Sequence, residues 1–252
     1  MSDFRPVILV PHYNHVAQFE RSLDALLAVD VPLMVVDDGS DVDQMATLKA
    51  LAETRGFLLE TLPRNRGKGE AVMHGFEAAA REGFTHGFQV DADGQHDAAD
   101  IPAFLEQASA HPGDIICGAP VFGEDIPWVR KHGRKITDLV VAIETWKLGI
   151  RDSLCGFRIY PLQAIGAVVE RDRPGARMDF DAEILVYAVW HGLTLRFMDT
   201  RVIYPEQGVS HFRYVQDNLR MIGMHTRLIL RMLLRSPVLL HQKVTGSGAR
   251  VV

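Results

Sequence analysis

The chain has 252 residues, 47% of them hydrophobic and 23% charged, which suits one large globular domain or a domain with an appendage. Its formal net charge of −5 gives no global pull toward nucleic acid, so no such partner is expected. Only two cysteines occur, Cys117 and Cys155, without disulfide or metal spacing, and both are expected as buried, reduced thiols.

The opening "MSDFRPVILVP" lacks the long apolar stretch and basic flank of a secretion signal. No apolar run approaches the ~18–20 residues of a spanning helix. A cytosolic protein is expected, free to touch the inner face of the cell membrane. In chain order, "PVILVP", "PLMVVDDGS", "GFLLETLP" and "GFQVDADG" are short Val- and Leu-rich runs ending in Pro, Gly or Asp. Such runs suit strands covered on both faces of a parallel sheet. Helical stretches lie between them, near 15–29, 42–55 and 68–82. In the last, Ala71, Gly75, Ala78 and Ala79 make a narrow small-residue face for close packing on a sheet. This alternation predicts an α/β fold with right-handed crossovers, whose ligands bind beyond the carboxyl ends of the strands. Beyond Ile116 the pattern changes to a long helix over 128–148, then "DSLCGFRIYP", a helix near 179–191 and a strand "LTLRFM". The expected division is a domain over 1–212, with a nucleotide half (6–120) and an acceptor half (121–212). A helical extension over 213–240 and a disordered tail over 241–252 follow.

The strand ending in Asp91-Ala92-Asp93-Gly94 carries the chemistry. As an EF-hand it fails, because loop positions six and twelve are His96 and Pro102. The haloacid-dehalogenase phosphatases use Asp-x-Asp-Gly on the first strand with a Thr next; here it falls on a later strand before Gln95. Helix capping near Asp97 accounts for one acid and not for two. A divalent metal held on a nucleotide diphosphate accounts for both, since Mg²⁺ and Mn²⁺ take few carboxylate ligands and leave the rest to substrate phosphates. Gln95 could add a neutral oxygen.

In sequence order, "VPHYN", "VVDDGS", "NRGKGEAVMHG" and "VDADGQH" together resemble the family 2 glycosyltransferases of the GT-A fold. With "WVRKHGRK" and "DSLCGFRIYP" the chain is similar to their polyprenyl-phosphate branch, the relatives of dolichol-phosphate mannosyltransferase. Near the far end, "GVSHFR" stands where that branch commonly has a Ser-Lys pair. The resemblance implies an inverting transfer from a nucleotide-diphosphate sugar, UDP-linked ahead of GDP-linked, to a lipid-linked or membrane-associated acceptor. Pro11, Tyr13 and Asn14 would line the base pocket, and Asp38 would meet the base or ribose. Lys68, between Gly67 and Gly69 at a helix start, stands where negative charge is favoured. Asp91 and Asp93, with Gln95 and a late-arriving His211, would hold Mg²⁺ or Mn²⁺. Arg130, Arg134 and Arg158 are candidates for gripping an acceptor phosphate or the leaving diphosphate, with Asp152 orienting Arg158. Asp179, Asp181 and Glu183 cluster near a helix start. Asp181 would be the general base for a hydroxyl acceptor, whereas a phosphate acceptor needs none.

From residue 213 onward Lys and Arg occur seven times against one acid, Asp217. On a helix Arg213, Arg220, Arg227, Arg231 and Arg235 share one stripe about 80° wide. A basic amphipathic helix lying on an anionic membrane surface is the expectation. Two other classes compete with the transferase reading. A sugar-phosphate nucleotidyltransferase should carry a Gly-rich basic loop after the first strand, and "VPHYNHVAQ" has no glycine. A non-catalytic nucleotide-binding module would bind and not transfer.

Overall fold

The computed structural model describes residues 4–121, 128–202 and 214–252. Side chains at 128–131, 214 and 215 lie outside that description, and so do His211, Arg213 and the side chain of Arg130. Strands β1 (Pro6–His12), β2 (Leu33–Asp37) and β3 (Leu58–Thr61) pair in parallel, joined by helices α1 (Val16–Leu27) and α2 (Val42–Arg55). Helix α3 (Lys68–Arg81) then carries the chain to β4 (His86–Gln89), which pairs on the other side of β1. The remaining elements are α4 (Ile101–Ala110), β5 (Ile115–Val121), α5 (Trp128–Thr145), β6 (Arg158–Pro161), α6 (Leu162–Arg171), α7 (Phe180–Trp190), β7 (Leu195–Arg201) and α8 (Tyr214–Thr245). One seven-stranded sheet of order β3-β2-β1-β4-β6-β5-β7 takes strands from both halves of the chain. Only β6 runs against its neighbours β4 and β5.

Alternation along the central strands explains the layers. Val7, Leu9, Met34 and Val36 point to the side covered by α3, α6 and α7. Ile8, Val10, Leu33 and Val35 point to the side covered by α1 and α4. Both faces are dry, so these strands read as unbroken apolar runs. Burying each such side chain stabilises the fold by roughly 1.5–3 kcal/mol. The small face of α3 packs as expected: a Cβ on Gly75 would come within 3.1 Å of Val36 Cγ2. Both cysteines are buried and free, and burial pushes each thiol up to about 12.

Two expectations about the C-terminus are corrected. The last residues are not a disordered tail. They pair with β7, where Leu195 N donates to Arg250 O at 2.8 Å and Phe197 N to Val252 O at 2.9 Å. An open strand edge gains backbone partners this way, and Ala249 is buried beside it. Nor is the described part of the arginine stripe left to solvent alone: Arg220 and Arg227 are exposed yet ion-paired, and Arg231 and Arg235 are half-buried. Arg227 bonds Glu183 at 2.6 Å, and Arg231 and Arg235 pair with Asp172 while lying over the Tyr187 and Trp190 rings. The acids and aromatics of α7 and of the end of α6 draw those arginines inward.

Candidate active site

The sheet order reverses beside β1, which has β2 on one flank and β4 on the other, so a crevice opens at the carboxyl ends of these strands. Three loops meet there. At the end of β1 stands Pro11, and just after the strand come Tyr13 and Asn14, all partly buried. Asn14 takes a left-handed φ of 53° and is bound to the second loop, donating from its backbone to Ser40 Oγ at 2.8 Å and accepting from Asp41 N at 2.8 Å.

The β2 loop is saturated. Asp37 accepts from His12 Nδ1 at 2.8 Å and from Ser40 N at 2.8 Å. Burial would raise its carboxyl, but His12 and Ser40 hold it below the ordinary range. Asp38 is 2% exposed, and its two oxygens accept from Arg66 N and Gly67 N, each at 2.7 Å. Whatever Asp38 meets in a bound nucleotide, in this structure it already accepts these two backbone bonds. Its carboxylate braces the loop leading into α3, because Gly39 at φ 71° turns the chain against Arg64 and Asn65.

At β4 the balance is opposite. Lys68, in the first turn of α3, places its ammonium 2.9 Å from Asp91 Oδ2 and 2.7 Å from Asp181 Oδ2. Burial alone would lower that ammonium's pKa, yet Asp181 and Asp91 hold it above the usual lysine value. Asp91 Oδ1 lies 2.8 Å from the same nitrogen but accepts no hydrogen bond. Burial and the charge of Asp91 push the Asp93 carboxyl up to about 6. Asp91 and Asp181 thus share one ammonium while Asp93 stands beside Asp91 without a cation of its own in contact among the described residues, an arrangement that suits a divalent cation. Among the described residues no three His, Cys, Asp or Glu side chains cluster closely enough to hold a metal. An ion on Asp91 and Asp93 would draw its other ligands from Gln95, water or a bound diphosphate.

Asn14, Gln18, Asp91 and Asp93 face a cleft of about 1170 Å³ between α1 and the start of α4. Asp91, Asp93, Gln95 and Arg134 border a smaller hollow beside Cys155 and Gly156. Arg134 is held there by Asp152 at 2.6 Å, so Asp152 orients Arg134 and not Arg158. Arg158 is fully buried, donating to Ser153 O at 2.8 Å and Asp181 O at 2.6 Å. The reading of Arg158 as a ligand-gripping residue is corrected: it fixes the backbone that presents Asp181. Asp181 itself reaches the site, with Oδ1 accepting from Gln89 Nε2 at 3.0 Å. Glu183 does not, because Gly175 N, Tyr187 and Arg227 consume it.

Two positions escaped the sequence reading. Gln89, fully buried at the end of β4, ties Asp181 to Tyr160. A Cβ on Gly156 would lie 2.6 Å from both carboxylate oxygens of Asp91, so only glycine leaves room for that acid. A polar amide closing an apolar strand was the available signal for Gln89.

This sheet order, with acids and a lysine converging at its switch point, defines an α/β fold of the GT-A type. The chain belongs to glycosyl transferase family 2, whose family model matches residues 7–166, and it is a glycosyltransferase. It is 29% identical over 170 residues to the undecaprenyl-phosphate 4-deoxy-4-formamido-L-arabinose transferase of Sodalis glossinidius, covering 64% of this chain and 50% of that one. The match thus spans about half the length of that relative. An uncharacterized protein of Methanocaldococcus jannaschii, MJ1222, is 25% identical over 211 residues, covering 81% of this chain and 83% of the relative. Among solved structures, glucosyl-3-phosphoglycerate synthase from Mycobacterium tuberculosis, with Mn²⁺ and UDP, superposes with a TM-score of 0.66 at 17% identity, covering 93% of this chain and 80% of its own. A Pyrobaculum calidifontis mannosyltransferase with GDP-Man and Mn²⁺ gives 0.58 at 19%, covering 90% and 64%.

Proposed function

We propose that this glycosyltransferase moves a sugar, with inversion, from a nucleotide-diphosphate donor to the phosphate of a lipid-linked acceptor. The carrying observation is the acidic pair at the switch point: Asp91 keeps one oxygen without a hydrogen bond beside Lys68, and Asp93, which accepts from Gln95 N at 3.0 Å, is crowded by the charge of Asp91. Asp91 and Asp93 would hold Mg²⁺ or Mn²⁺, and the ion would supply Lewis-acid stabilisation of the departing diphosphate. Lys68 keeps Asp91 and Asp181 in register, and Gly156 leaves Asp91 room. Pro11, Tyr13 and Asn14, of which Asn14 lines the cleft, would receive the base. Arg134, oriented by Asp152, is the cation placed to meet a phosphate oxygen.

The choice of a phosphate acceptor rests on Asp181. Its two oxygens are engaged by Lys68 and Gln89, and the residue is 4% exposed. A general base needs a free lone pair within reach of the acceptor proton. A phosphate acceptor brings an oxygen that is already anionic, so Asp181 only has to position groups. Relatives named for undecaprenyl-phosphate agree with that chemistry.

The experiment is a melting panel of UDP- and GDP-sugars with and without Mn²⁺, then transfer assays on undecaprenyl phosphate and on undecaprenol. The correct donor should stabilise the protein by about 2.7 kcal/mol at a hundredfold excess over its Kd. That gain should need Mn²⁺ and vanish in Asp93→Ala, and sugar should pass to the phosphate and not to the alcohol. An undiminished Mn²⁺ effect in Asp93→Ala would sink the metal assignment. Transfer to undecaprenol would restore Asp181 as base.

A further inference from the structure

Helix α8 carries two apolar stripes on opposite sides. Met224, Leu228 and Met232 face the core. Leu219, Ile222, Leu230, Leu233 and Leu240 fall within about 80° of one another on the far side, and each is more than half exposed. Helix α5 repeats the arrangement: Val141 is buried, whereas Ile136, Leu139 and Ile143 are at least half exposed. The two helices lie side by side, joined by His225 to Glu144 at 2.9 Å and by Trp146 Nε1 to Met232 Sδ at 3.2 Å. With core beneath both, each helix turns its outer stripe away from the core. A patch of this kind on a water-soluble face marks an interaction site.

The charge around it identifies the occupant. Residues 128–148 and 214–252 together hold eleven Lys and Arg against three acids, while the rest of the chain holds sixteen against twenty-nine. Several of these cations are paired, Arg134 with Asp152, Arg220 with Asp217, Arg227 with Glu183, and Arg231 and Arg235 with Asp172. With the three outside acids Asp152, Glu183 and Asp172 counted, these segments still hold eleven cations against six acids. Two copies meeting through this face would bring like charge to like. An anionic bilayer meets the basic helices and repels the acidic remainder, which fixes the orientation as well as the contact.

We propose that the joint outer face of α5 and α8 docks on an anionic lipid surface, with its leucines and isoleucines entering the headgroup boundary. The inward-facing arginines do not make this contact; they fasten α8 to α7. The proposal deepens the lipid-linked acceptor reading and rests on it only for its purpose. Ile136 and Leu139 lie about 3 and 7.5 Å along α5 from Arg134, which borders the acidic hollow. A phosphate at the bilayer surface would therefore arrive next to Arg134.

The test is flotation of the whole chain with phosphatidylcholine vesicles and with vesicles in which part of that lipid is phosphatidylglycerol. Binding should require the anionic lipid and weaken by about tenfold or more in the Leu230→Glu, Leu233→Glu double variant. Melting temperature and Mn²⁺-dependent donor binding should stay at wild-type values, because both side chains are already exposed. Quenching of Trp146 by a lipid-borne quencher gives a second readout, with Trp146→Phe as control. Equal flotation of wild type and double variant would overturn the proposal. So would a wild-type dimer that the double variant splits into monomers, since a second copy would then own the face. Failure of donor binding alone would instead count against the transferase reading, because flotation uses no nucleotide.

Discussion

Two strand ends of the sheet each finish in a pair of acids, and they do opposite work. At the end of β2 the chain itself supplies donors to Asp37 and Asp38: His12, Ser40, Arg66 and Gly67. At the end of β4, Asp91 keeps one oxygen without a hydrogen bond and Asp93 is pushed up by burial and by its neighbour's charge. A buried carboxylate whose lone pairs are claimed by backbone N–H groups is part of the scaffold. A pair in which Lys68 serves one acid and the other is pushed up by burial and by its neighbour has room for a cation. Both pairs are aspartates at carboxyl ends of the sheet, adjacent at the end of β2 and separated by one residue after β4, and what separates their roles is which donors reach them.

The largest effects should fall on opposite observables. Asp91→Asn should lower sugar transfer by about 10²–10³-fold, the scale of losing one preorganised electrostatic group, with melting little changed. Asp37→Ala should cost about 3 kcal/mol of stability in chemical denaturation, because it strands His12 and the Ser40 turn without their buried partner. If Asp37→Ala melted like wild type while Asp91→Asn unfolded, the contrast would be reversed. Gly156→Ala sharpens it further. The added methyl would meet the Asp91 oxygens at 2.6 Å, so turnover should drop about 10–100-fold, as when a supporting group of a metal ligand is lost. Stability should change by only about 1–3 kcal/mol.

How far the sequence reached follows the same line. The strands β1, β2 and β4 and the helices α1 to α3 were legible because covered strands read as apolar runs and α3 shows its small face. The antiparallel β6 was not, because four residues opening on a buried Arg158 give no period to read. Asp91, Asp93, Lys68 and Asp181 were legible as a set through their motifs and meet in space. The bracing partners of Asp38 and the burial of Arg158 were not legible, since which partners engage a side chain depends on contacts 28 and 23 residues away in sequence. The orientation of α8 was hidden for a like reason. Its arginines and its outer leucines both look surface-bound until Glu183 and Asp172 arrive from elsewhere in the chain.

The smallest expected effect concerns pH. The Asp93 carboxyl sits at about 6 in the folded protein, above its ordinary 3.8. Between those values the folded state holds a proton that the unfolded chain has released, so stability from this group is full below the lower value and is lost as pH rises through the upper one. Because Asp93 is only partly buried by its surroundings, the loss should be on the order of 1 kcal/mol after discounting for solvent. Asp93→Asn has no proton to lose there, so metal-free wild type minus variant should fall across this window. Mn²⁺ added above about pH 6 should recover the difference in wild type and leave the variant unmoved, since only the ionised acid gains from the cation. A flat difference from about pH 4 to 8 would mean that Asp93 carries no excess of negative charge. The β4 acids would then resemble those of β2, as scaffold in place of site.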